Sequence, residues 1–161
     1  MRKNYTQARA YYEEALARST GVVNTDAIDT ITLLARLERD LGRYREALAW
    51  HREAIRRSSQ QMFFHQSILL FQALAYTEIA CSRDWPAPEA ELHLLAAARL
   101  LGAAEACRAV AALKMSAYQG PPDETFLAEL RGRLDPAKLE QAWAEGLAMP
   151  VERAAAYALS Y

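Results

Sequence analysis

The sequence is poor in the residues that punctuate or cross-link a chain. Two cysteines, six glycines and six prolines among 161 residues exclude a disulfide-framed scaffold, a collagen-like repeat and a proline-rich linker. Cys81 and Cys107 stand alone in apolar, helix-like stretches, without the CxxC spacing of a zinc or redox site, and read as reduced core thiols. Net charge is lacking too: 19 Lys and Arg against 20 Asp and Glu leave a formal charge of −1, too little to draw in nucleic acid or an anionic membrane. Charged residues interrupt every apolar run short of a membrane span, and Met1-Arg2-Lys3-Asn4-Tyr5 is too polar to open a signal peptide. The expectation is a cytoplasmic protein of one domain that touches neither nucleic acid nor membrane directly.

What the sequence has is alanine and leucine. With β-branched residues sparse and no segment alternating as a strand does, the composition favours helix nearly throughout. Turn signals divide the chain at Ser19-Thr20-Gly21, Leu41-Gly42-Arg43, Arg57-Ser58-Ser59, Ser82 to Pro88, Gln119 to Asp123, Leu134-Asp135-Pro136 and Met149-Pro150. The helices between them are expected to be mostly of ordinary globular length. Asp135 before Pro136 is a helix start: the carboxylate caps free N–H groups, and proline lacks an N–H that the first turn leaves unpaired anyway. Pro150 opens the last helix similarly.

One segment repeats. Tyr5, Ala8 and Ala15 recur as Tyr44, Ala47 and Ala54, each 39 positions on. Two small residues on one face let a neighbouring helix approach closely, and Tyr12 fills the gap between them in the first copy. Upstream of the second copy, Ile31, Leu34 and Ala35 supply apolar and small positions that Phe71, Leu74 and Ala75 repeat 40 residues later. Ala97, Leu101 and Ala104 give a third small-large-small pattern beyond an insertion carrying Pro86 and Pro88. His51, Glu38 and Glu78 break the pattern. A repeat of this size is one helical hairpin that buries its face only by stacking on neighbours.

Gly42-Arg43-Tyr44-Arg45-Glu46-Ala47 resembles the Gly-Asp-Tyr-x-x-Ala start of the second helix in a tetratricopeptide repeat. The resemblance implies an all-α fold of antiparallel hairpins stacked as a right-handed superhelix, about two and a half repeats over residues 1–114, with residues 115–161 a loop and capping helices of the same domain. The first copy begins at its second helix, so either the chain is cut within a repeat or a shortened repeat caps the stack; truncation is favoured, because an end repeat needs a polar outer face. A second resemblance lies in Ala98-Arg99-Leu100-Leu101-Gly102-Ala103-Ala104-Glu105-Ala106, Leu134-Asp135-Pro136, Ala142-Trp143-Ala144-Glu145-Gly146 and Val151 to Leu159. From about Ile68 to Leu159 the order is similar to the C-terminal helical tail of large bacterial regulators that join an ATPase module to tetratricopeptide repeats and often to a LuxR-type DNA-binding domain. In that setting the helical part is a platform for partners, inducers or intramolecular control.

Catalytic chemistry finds little support. His51, His65 and His93 are far apart and lack metal-ligand spacing, and no GxxxxGK[ST] loop or GxSxG elbow is present. Carboxylate pairs such as Glu13-Glu14 and Glu89 with Glu91 read as solvated helix faces. The last two helices superficially suggest a helix-turn-helix, but Val151 to Leu159 carries only Arg153 as a reader of bases or phosphates. No enzyme activity, metal or cofactor is expected.

The resemblance implies that the first helix of each hairpin lines a concave groove, at Thr32, Arg36 and Arg39 in one repeat and Gln72, Tyr76 and Ile79 in the next. Guanidinium groups beside a tyrosine suit an acidic or C-terminal carboxylate ligand. The leading expectation is a protein–protein interaction or scaffold module, with a protein, a peptide or other domains of a parent regulator as partner. Two alternatives stay open: a small-effector sensor, suggested by Phe63, Phe64, Phe71 and Tyr76, and self-association through the N-terminal half-repeat.

Overall fold

A computed structural model describes residues 2–18, 25–58, 64–114 and 122–160. The described residues form eight α-helices and one short 3-10 turn, with no strand: α1 (Arg2–Arg18), α2 (Thr25–Asp40), α3 (Tyr44–Ser58), α4 (Phe64–Cys81), the turn Ser82–Asp84, α5 (Glu89–Lys114), α6 (Glu124–Arg133), α7 (Pro136–Leu147) and α8 (Val151–Ser160). The Ser19-Thr20-Gly21 turn, Ser59, Phe63 and Gln119 to Pro121 lie outside the described residues.

Local chemistry sets the boundaries. Gly42 stops α2 in the left-handed region at φ 75°, where a β-carbon would be strained. Its N–H donates to Arg39 O and that of Arg43 to Glu38 O, both at 2.9 Å, the paired bonds of a Schellman stop. Asp123 caps α6 through Thr125 N at 2.9 Å, and Asp135 caps α7 through Ala137 N and Lys138 N at 3.0 and 3.1 Å. α3 ends at Ser58, within the expected Arg57-Ser58-Ser59 break, where Ser58 Oγ donates back to Ile55 O at 2.9 Å. α5, at 26 residues, is much longer than the ordinary helix expected, since nothing in its alanine-rich sequence breaks it.

The hairpins stack in chain order. α2 packs on α3, α3 on α4, α4 on α5 and α5 on α7, while α8 folds back over α3, α5 and α4. Leu34, Ala35, Ala47, Ala54, Leu74, Ala75, Ala97, Leu101 and Ala104 are all buried, and Tyr44 is partly buried against the core. Ala8, Tyr12 and Ala15 on α1 are only half-buried, because among the described residues α1 packs chiefly on α2.

The pattern-breaking residues are also inside. Glu38 and Glu78 are fully buried. Arg9 and Arg43 approach the Glu38 carboxylate at 3.2 and 3.3 Å, and Arg52 and His93 approach that of Glu78 at 3.7 and 2.5 Å. Buried carboxylates persist only with such partners, so each tethers helices of adjacent hairpins. His51 is buried with Nε2 3.0 Å from Thr77 Oγ1, and desolvation, with Arg39, Arg36 and Arg52 nearby, pushes its pKa down to about 3.

The Gly102 and Gly146 segments are two sides of one helix crossing. A β-carbon on Gly102 would lie 2.3 Å from Trp143 O, and one on Gly146 2.0 Å from Arg99 O. Arg99 Nε bonds Glu145 at 2.6 Å and Trp143 Nε1 donates to Glu105 at 2.7 Å. Both glycines of the C-terminal sequence signature therefore lie at a close crossing of α5 and α7.

Candidate functional site

A cavity of about 410 Å³ opens between α2, α4 and the start of α6. Thr32, Arg36 and Arg39 from α2, and Gln72 and Tyr76 from α4, line it together. Ile79 does not: it is fully buried in the core. The reason is angular. On α4 the exposed ridge runs through Leu69 and Tyr76; Gln72 sits at its edge, and Ile79 falls about 20° further round, on the core side. The residues that complete the lining are Leu33, Leu69 and Ala73, with Asp29, Asp123 and Phe126 at the rims. Leu33 and Leu69 follow from a helical wheel, being 40% and 47% exposed, whereas Asp123 and Phe126 reach the groove only because α6 returns to α4.

That return is fixed by specific contacts. Tyr76 and Phe126 stack with centroids 4.5 Å apart and planes 11° from parallel, and Asp123 N–H donates to Tyr76 Oη at 2.7 Å. The Arg39 guanidinium lies 5.5 Å from the Phe126 centroid, a cation–π distance, and also reaches Asp40 at 3.1 Å. Burial raises the Tyr76 phenol above its ordinary pKa, against the opposing effect of the Asp123 N–H and the charges of Arg108 and Arg39. The phenol therefore stays protonated near neutrality.

Two donors remain. Arg36 is exposed and forms no ion pair among the described residues. Gln72 is only 7% exposed, yet its Nε2 has no hydrogen-bond partner. An unsatisfied buried amide costs about 1–3 kcal/mol, and here it lines a cavity. Thr32 Oγ1 donates to Ile28 O at 2.8 Å. The arrangement is two aliphatic patches, two cations and a buried amide donor, edged by carboxylates.

No such convergence surrounds the other candidates. Among the described residues no three His, Cys, Asp or Glu side chains cluster as a metal site would need, and no helix is long and apolar enough to cross a membrane. Phe71 is a fully buried core residue, so of the two members of the suggested aromatic cluster whose side chains are described, Phe71 and Tyr76, Tyr76 lines the groove; Phe64 and His65 have no described side chain. Ala154, Ala155 and Ala158 of α8 are buried, on the helix that packs against α3, α4 and α5.

Residues 1–60 match the family model of the tetratricopeptide repeat. No curated protein and no solved structure matches the chain. Tetratricopeptide repeats generally mediate protein–protein interaction and scaffolding.

Proposed function

We propose that this chain is a non-enzymatic interaction module that holds an acidic segment of a partner protein in the α2–α4–α6 groove. The observation that carries the reading is the pair of unused donors there, Arg36 and the buried Gln72 Nε2. A partner carboxylate opposite Arg36, reinforced by Arg39, gains charge-assisted hydrogen bonds. A backbone carbonyl or carboxylate oxygen at Gln72 removes a buried unsatisfied amide, and aliphatic side chains fit Leu33 and Leu69.

Under this reading residues 1–114 are the repeat stack and residues 115–161 complete the same domain. The broader setting is that of the resemblance: the repeat portion of a cytoplasmic signalling ATPase or LuxR-type transcriptional regulator, contacting other domains of its parent rather than DNA. The burial of the alanine face of α8, with Arg153 the sole basic residue in that helix, supports a packing role over a DNA-reading one.

Fluorescence anisotropy with an array of labelled acidic-aliphatic peptides, some with free and some with amidated C-termini, tests the groove. At least one probe should bind with micromolar affinity and weaken as salt rises. Arg36→Glu should cost tenfold or more, and Gln72→Leu should reduce affinity with the fold intact. Binding indifferent to both changes, or none by any acidic probe at millimolar protein, would overturn the reading. A second reading, a small effector held in the groove, draws on the cavity volume, which falls within the range of small-ligand sites; it predicts saturable binding of a small carboxylate with peptides excluded.

A further inference from the structure

Arg108 stands where the pattern of α5 calls for a small or apolar residue. Ala97, Leu101 and Ala104 are buried along one stripe of α5, and one turn beyond Ala104 the same stripe reaches Arg108, flanked by buried Cys107 and Ala111. Two of its guanidinium nitrogens, Nε and Nη2, are shielded from solvent without a hydrogen-bond partner, and the side chain makes no ion pair among the described residues. An uncompensated charge in such a place is costly to hold, where alanine or leucine would pack freely. Arg108 as a whole is partly exposed, so a ligand can approach it.

Its surroundings belong to the inner end of the groove. The charge of Arg108 acts on the Tyr76 phenol more strongly than does that of Arg39, which lines the cavity with Tyr76. One turn before Tyr76 on α4, Gln72 brings its own unpartnered Nε2 to the same cavity. The phenol oxygen accepts from Asp123 N–H at 2.7 Å, and its proton has no acceptor among the described residues, so Tyr76 too can donate. The Asp123 carboxylate is engaged in capping α6, accepting from Thr125 N at 2.9 Å. Gln72, Tyr76 and Arg108 therefore present donors that no acceptor answers.

We infer that the inner end of the groove, at Gln72, Tyr76 and Arg108, takes a phosphoryl group, so that the partner's acidic segment carries a phosphorylated serine or threonine. The inference rests on the groove reading above and names the chemistry of its deepest contact. Charge and donor count decide between phosphoryl and carboxylate. The uncompensated charge of Arg108, with that of Arg39, which Asp40 shares, exceeds what one carboxylate neutralises. A phosphorylated side chain brings nearly two negative charges and three acceptor oxygens in different directions, which suits an amide and a phenol from α4 and a guanidinium from α5.

Fluorescence anisotropy with matched peptides tests this on the full chain. Each acidic-aliphatic peptide of the array is made in three forms that differ at one central position: serine, phosphoserine and glutamate. The best phosphoserine form should bind about tenfold or more tighter than its glutamate form. Arg108→Met should bring the two within about threefold of each other while leaving the affinity of the glutamate form nearly unchanged. The same variant separates binding from folding: it removes an orphaned buried charge, so without ligand it should melt at or above the wild-type temperature. Phosphoserine and glutamate forms that bind alike, with both weakened by Arg36→Glu, would overturn the phosphoryl inference and leave the acidic groove standing. Binding by none of the forms would overturn both. An Arg108→Met protein that keeps the phosphoserine preference would place the phosphoryl group elsewhere, and one that melts well below the wild type would give Arg108 to the fold; either overturns the inference.

Discussion

Replacing Gly146 by alanine adds one methyl group at the crossing of α5 and α7. The added carbon would sit 2.0 Å from Arg99 O, 2.8 Å from its carbonyl carbon and 3.0 Å from Ala103 N. All three are backbone atoms, so no side chain can swing aside, and an ordinary contact requires the helices to part by more than about 1 Å at a site where packing is close to crystalline density. In an isolated helix the same change would stabilise by about 1 kcal/mol. Overpacking a tight site costs about 1–3 kcal/mol and occasionally more; rigid backbone on every side puts this one at or above the upper end. The net expectation is a loss of roughly 2 kcal/mol or more, which in a domain of this size lowers Tm by at least roughly 4–8 °C. Differential scanning calorimetry with urea titration measures it. Gly132→Ala is the control: its added carbon has nothing within 4 Å, so stability should hold or rise slightly. A Gly146→Ala protein as stable as the wild type would refute the close crossing and with it the placement of α7 on α5.

Other expectations follow from single residues. His51 has a folded pKa of about 3 against an ordinary 6.5, so below 6.5 the unfolded chain binds the extra proton: its contribution is whole above pH 6.5 and declines as pH falls toward 3, by about 2 kcal/mol at pH 5. Urea midpoints from pH 7 to 4 should show this fall, and His51→Gln should flatten it; parallel profiles would refute the burial argument. Gly42→Ala should destabilise by about 1–2 kcal/mol, because its φ of 75° strains any β-carbon, and an unchanged melting curve would deny the left-handed stop of α2. Cys107, its thiol pushed up to about 11 by burial, and Cys81 should resist a thiol reagent at pH 8 and both react in urea; fast native labelling of either would place it at the surface.

Much of the fold was legible because stacking repeats imposes local rules. Ala47, Ala54 and the Leu34-Ala35 pair announced close helix approach and are buried, and Asp135-Pro136 marked a helix start that the structure caps as expected. The groove was legible only in part. Thr32, Arg36, Arg39, Gln72 and Tyr76 lie on helix faces that periodicity can count, but Ile79 lies just past the edge of the exposed arc, where a fixed repeat offset is too coarse. Asp123 and Phe126 could not be found that way, since they reach Tyr76 through tertiary packing across 47 and 50 positions. Glu38, Glu78 and His51 looked like defects in a repeat because their partners Arg9, Arg43, Arg52, His93 and Thr77 lie outside their own helices. The Gly102 and Gly146 segments, on which the resemblance to a regulator's tail rests, lie where two helices cross closely.

The central claim is that a partner's acidic segment occupies the α2–α4–α6 groove, and NMR titration of isotope-labelled protein with the tightest-binding peptide of the array tests it most directly. Saturating shifts should gather at the Gln72 side-chain amide, the Arg36 guanidinium and the Tyr76 ring, and vanish in Arg36→Glu. Shifts centred on another face of the stack, with the Gln72 amide unmoved, would contradict it.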